Sequence, residues 1–119
     1  MRMSNRAALA VAALNGLLGV ALSAYAVHGI SAPDARELVR TGALFQLLHG
    51  AGGAAAASYS PISSLAMGLG ALLFGLSLYA LAMGGVKFLG PVTPIGGLLM
   101  IAGWFVLMVT ALRPRSNKL

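Results

Sequence analysis

Thr41-Gly-Ala-Leu-Phe-Gln46-Leu-Leu-His49-Gly50-Ala-Gly-Gly-Ala-Ala-Ala-Ala57-Ser-Tyr59 is the stretch on which the fold turns. It lies in an uncharged run over residues 41–86, far longer than the roughly 20 residues a helix needs to cross a bilayer. Its polar side chains Gln46 and His49 stand one helical turn apart, and a block of glycine and alanine follows. Lipid provides no hydrophobic drive between helices, so small residues that let backbones approach must supply the contact instead. The stretch therefore predicts a helix over about 42–59 at the centre of a bundle.

Working outward, residues 7–33 and 88–112 are also uncharged and also long enough to span. Of the 119 residues, 59% are apolar and 8% charged. A soluble domain carries about 25% charged residues, which excludes a water-soluble globule. The lack of Cys excludes disulfides, thiolate metal sites and cysteine nucleophiles. The expectation is an all-α membrane protein, one transmembrane domain over residues 1–119 with four crossing helices at about 6–28, 42–59, 63–83 and 94–112. The basic segment Met1 to Arg6 is followed by an apolar run ending in Ala24-Tyr25-Ala26, the layout of a secretory signal with its cleavage site. The segment is expected to stay as the first helix of the mature chain. Ala12, Asn15, Gly19 and Ser23 recur on one of its faces, which should look into the bundle.

The connections have their own chemistry. In Ser31-Ala-Pro33-Asp34, Ser31 can cap a helix, Pro33 suits its first turn and Asp34 its positive end, so a short interfacial helix is expected at about 33–40. It holds both acids, Asp34 and Glu37, beside Arg36 and Arg40, with local ion pairs expected. Pro61 should break the chain before the third helix, and Thr93 should cap the fourth with Pro94 opening it.

The net charge is +6, yet five of the eight basic residues stand at the ends: Arg2, Arg6, Arg113, Arg115 and Lys118. Terminal Lys and Arg resist translocation and mark the cytoplasmic side. Four crossings would put both termini there, leaving Arg36, Arg40 and Lys87 opposite, and no nucleic-acid role is expected. Tyr25 and Tyr79 would sit near the outer interface. Ser23-Ala-Tyr25-Ala26 reappears as Ser77-Leu-Tyr79-Ala80, through a duplicated hairpin or by chance among apolar segments.

His49 carries the most information, being about seven residues into its helix and so roughly 10 Å deep at 1.5 Å per residue. A polar group there needs a partner. Asn15 on helix one is the candidate, with Gln46 a turn away, and the three are expected to form an interhelical hydrogen-bond cluster. The functional alternative is a proton or solute relay through the imidazole. A haem held by His28 and His49 requires both rings at one depth, whereas His28 ends its helix. No cofactor or metal is expected, and with acids only on the surface segment and no G-x-S-x-G motif, no enzyme either.

Val27-His28-Gly29, the segment Arg40 to His49, Phe74-Gly-Leu-Ser77-Leu-Tyr79, and Leu89-Gly-Pro91-Val-Thr-Pro94-Ile-Gly-Gly97 followed by Gly103-Trp104 together resemble domain-of-unknown-function family 423. That family includes bacterial inner-membrane proteins and relatives of transmembrane protein 256. The resemblance spans about residues 10–108, and its last motif is the most specific. It implies a compact four-helix membrane protein in the inner (plasma) membrane, with no established reaction or cofactor. His28, Gln46, His49, Ser77, Tyr79, Pro91, Pro94, Gly97 and Trp104 match its characteristic positions. Ser23-Ala-Tyr25-Ala-Val27 departs from the Gly-Ala-x-Gly-Ala run that commonly precedes the histidine. Slender Gly- and Ala-rich helices enclose little volume, so the expected role is a non-enzymatic accessory subunit. Its partners would be the lipid bilayer and other membrane subunits or further copies of itself, met through Gly-rich faces.

Overall fold

The computed structural model describes residues 2–85 and 87–114; the basic residues Arg115 and Lys118 lie outside the described residues. The described residues are all-α: α1 Met3–Gly29, α2 Pro33–Ala56, α3 Pro61–Ala82 and α4 Val92–Leu112, with a 3-10 turn at Lys87–Leu89. Among the described residues, three helices are long and apolar enough to cross a membrane, not the expected four: Met3–Gly29, Pro61–Ala82 and Lys87–Leu112. α2 is the exception, and its composition says why. Its first two turns carry Asp34, Arg36, Glu37 and Arg40, its middle Gln46 and His49, and its end mostly Gly and Ala.

The segment 33–40 is not a separate interfacial helix but the start of α2, which runs on without a break. Nothing at Arg40-Thr41-Gly42 stops a helix, since there is no proline and one glycine costs only about 1 kcal/mol. Ser31 does not cap it: the N-cap is Ala32 and no side chain caps, while Pro33 opens the helix. Arg36 turns back and donates from Nε at 2.9 Å and Nη2 at 2.7 Å to the Ile30 carbonyl just beyond α1. That fork clamps the tight connection between the two helices. Pro61 sits in the first turn of α3, where its missing N–H leaves no bond unmade. α4 begins at Val92 with Pro91 as N-cap, so Thr93 does not cap it. The Thr93 hydroxyl instead meets Ser77 Oγ at 2.6 Å and joins α4 to α3.

Glycines show how the helices lie. A Cβ on Gly50 would stand 2.9 Å from Gly16 N, and one on Gly19 3.1 Å from the Ala43 carbonyl, so α1 and α2 run antiparallel with touching backbones. Gly42 faces Gly75 and Tyr79, and Gly53 faces Ser64, which sets α2 antiparallel to α3. Between α3 and α4 the seam is tightest: Gly96 packs on Gly70 O and Phe74 N, and Gly103 on Ser63 O and Met67 N. α1, α2 and α3 pack mutually, while α4 lies chiefly on α3. Within the Gly50–Ala57 block, Gly50 and Gly53 pack against α1 and α3 and Gly52 against Trp104, so these glycines serve the chain's own packing, while Ala51, Ala54 and Ala55 are exposed. The two tyrosines of the repeated quartet differ as well. Tyr25 is 44% exposed, whereas Tyr79 is 8% exposed and packs with Ala26 and Val39.

Candidate functional site

Two sets of interior polar groups join the helices near the middle of the bundle. In the first, Asn15 on α1 and Gln46 on α2 are fully buried and joined by a bond from Gln46 Nε2 to Asn15 Oδ1 of 2.9 Å. Asn15 Nδ2 donates onward to the Gly68 carbonyl of α3 at 2.9 Å and to its own helix at Val11 O, 3.2 Å. At the other end, Tyr79 OH of α3 donates to Gln46 Oε1. Read donor to acceptor, the chain runs from α3 to α2, to α1 and back to α3. It closes a circuit around three helices, and each amide has one orientation that fits.

The local sequence makes this geometry. Gly68 and Gly75 remove side chains where Asn15 and Gln46 must lie against α3: a Cβ on Gly75 would be 2.8 Å from Gln46 Cδ, and one on Gly68 3.5 Å from Asn15 Nδ2. Gly42 clears room for the Tyr79 ring in the same way, at 2.8 Å. Each interhelical bond in a membrane contributes about 0.6 kcal/mol on average, up to about 1.7. Their larger effect is on register, because a one-residue slip would strand several polar atoms in hydrocarbon.

His49 stands one turn along α2 but belongs to a second set. Its Nδ1 lies 2.7 Å from the Phe45 carbonyl, which only accepts, so Nδ1 carries the proton. Its Nε2 accepts from the Trp104 indole N–H of α4 at 3.0 Å, and the two rings meet edge to face at 5.9 Å between centroids. Both ring nitrogens are therefore engaged by one neutral tautomer. A proton on Nε2 would face the indole N–H donor, and a metal there would have to displace it. Nitrogen-15 spectra of the ring are expected to show Nδ1 protonated and Nε2 unprotonated; the reverse tautomer would break this assignment. Trp104→Phe, which keeps the ring but removes the donor, is expected to cost about 1 kcal/mol of stability in thermal unfolding.

The remaining positions singled out from the sequence scatter. Ser77 Oγ bonds the Phe74 carbonyl at 2.9 Å as well as Thr93. Pro91 and Pro94 shape the start of α4. His28 is exposed at the end of α1, at the opposite end of the short connection from α2, and is not brought to His49. Gly97 is half-buried, and a Cβ on it would meet nothing within 4 Å. Sequence reasoning placed Asn15, Gln46 and His49 in one cluster; the structure joins the first two and gives His49 to Trp104. It missed Tyr79 as the third member of the circuit. The signal was available in its spacing, since Tyr79 falls one turn from Gly75 on α3, but two helices must be rotated correctly before it can be read. Among the described residues, no buried side-chain nitrogen or oxygen lacks a hydrogen-bond partner.

The chain is 36% identical over 122 residues to the UPF0382 inner membrane protein YgdD of Escherichia coli K12, covering 93% of each chain. It is 34% identical over 118 residues to a UPF0382 membrane protein of Haemophilus influenzae, covering 91% of this chain and 95% of that one. It is 32% identical over 111 residues to the UPF0382 membrane protein SERP0230 of Staphylococcus epidermidis, covering 85% and 91%. No solved structure matches. The family model described as "Protein of unknown function (DUF423)" matches residues 22–97, a span that holds Gln46, His49 and Tyr79, and the chain is a membrane protein that belongs to this family.

Proposed function

We propose that the protein is a non-enzymatic subunit of the inner (plasma) membrane that packs against further copies of itself or a larger membrane complex. The observation that carries this reading is the state of His49. Its two nitrogens are held by Phe45 O and Trp104 Nε1, so the imidazole acts as a fastener between α2 and α4. A proton relay through His49, the rival reading, would require that fastener to open in every cycle. Because α2 lies antiparallel between α1 and α3, and α4 antiparallel to α3, the ends of the chain fall on one side of the bundle, and this side is read as cytoplasmic from Arg2, Arg6 and Arg113.

The outward side of α4 is the proposed contact. Ile95, Leu98, Ile101 and Phe105 are exposed along it, and Gly97 shares a helical stripe with Ile101, Trp104 and Met108. A glycine that the chain's own packing does not need leaves space for a neighbouring helix to approach. Native mass spectrometry and cross-linking of gently extracted membranes test this. The unaltered chain is expected in an oligomer or complex, and Gly97→Leu is expected to release it while its unfolding curve stays unchanged. A monomeric chain in both cases, or equal assembly of both, would refute the reading.

A further inference from the structure

Where α1 ends and α2 begins, a groove of about 390 Å³ opens between the two helices. On α2 it is lined by Glu37, Arg40, Thr41 and Leu44, which are spaced three, one and three residues apart and so form one helical stripe. Ser23 and Val27 of α1 form the facing wall, and Leu47 continues the groove inward. Its apolar lining opens sideways: Val27 is 60% and Leu44 53% exposed, as side chains facing acyl chains would be. Arg36, the other nearby cation, is engaged with the Ile30 carbonyl and leaves the groove to one anion and one cation.

We propose that this groove holds the headgroup of a zwitterionic aminophospholipid, with its ammonium at Glu37 and its phosphate at Arg40. The order along α2 is what selects this ligand. Glu37 is nearest the helix start, Arg40 lies three residues or about 4.5 Å further in, and Leu44 and Leu47 follow. A phosphoethanolamine lipid presents its ammonium outermost, then its phosphate across a two-carbon linker, then ester oxygens, then chains. The Thr41 and Ser23 hydroxyls fall at the level of those esters, since Ala26 pairs with Val39 and Gly19 with Ala43 across the helices. The guanidinium suits phosphate because its donors form a planar fork. Glu37 favours this ligand over a purely anionic lipid, whose headgroup would offer it no cation.

The test is native mass spectrometry of the full chain in an uncharged detergent, titrated with phosphatidylethanolamine or phosphatidylglycerol of identical chains. The unaltered chain is expected to retain the ethanolamine lipid about fivefold better, the ratio that one exposed charge pair can supply. Glu37→Gln is expected to erase that preference, and Arg40→Gln to weaken binding of both lipids. Both side chains are exposed, so helix content and unfolding of the variants should match the unaltered chain. Equal retention of the two lipids, variants that bind as the unaltered chain does, or displacement of the lipid by an equal concentration of free O-phosphoethanolamine would each overturn the proposal.

Discussion

A chain carrying Gly96→Leu is expected to lose the docking of α4 on α3, with a cost of about 3 kcal/mol, at the upper end for overpacked interiors. A Cβ at this position would stand 2.6 Å from Phe74 N and 2.7 Å from Gly70 O. Both are backbone atoms of α3, so no rotamer change relieves the clash and the helices must separate. The next residue provides the internal control, because Gly97→Leu adds the same side chain where nothing lies within 4 Å. Reversible unfolding in mixed micelles should separate the two variants clearly. The emission of Trp104, the one tryptophan in the chain, should report α4 leaving its place in the first variant alone. Similar curves for both would mean that the Gly70–Gly96 seam does not hold the helices.

Gln46→Leu is expected to cost about 2–4 kcal/mol, from two interhelical bonds lost and two partners left unsatisfied. Leucine keeps most of the volume but can neither donate to Asn15 Oδ1 nor accept from Tyr79 OH, and both groups are buried. The effect should exceed that of Tyr79→Phe, which removes only the first donor of the circuit. A double-mutant cycle with Asn15→Leu distinguishes a circuit from a set of separate bonds. If the three side chains act together, the double variant should be more stable than the sum of the single losses requires, since each single change already strands its neighbour. Additive losses would count against the closed circuit.

Much of the fold is legible in charge and hydropathy alone. The helix breaks fall where proline, glycine and charge interrupt three long uncharged runs, and Arg113-Pro114 ends α4 at Leu112. Less legible is α2. Its charged first turns read as a separate surface helix because charges are costly in lipid, yet a helix can continue from a charged end into a bundle when no residue stops it. The polar interior divides in the same way. That Asn15 and Gln46 need partners follows from their depth in apolar helices. Which partner each takes depends on how the helices are rotated, and periodicity is weak here because alanine and glycine occur on every face. The glycines were visible as small residues, but whether one faces its own bundle, as Gly96 does, or open space, as Gly97 does, is a difference of one position that only the packed backbone reveals.

The circuit of Asn15, Gln46 and Tyr79 has every side chain on the first three helices. During synthesis it can therefore lock as soon as α3 has emerged, while α4 is still within the ribosome. The last helix then arrives at an already assembled platform and attaches along one seam, with the indole of Trp104 as its latch. In this order of events α4 is the last wall of the molecule to be set, and backbone contact along the α3 seam sets it.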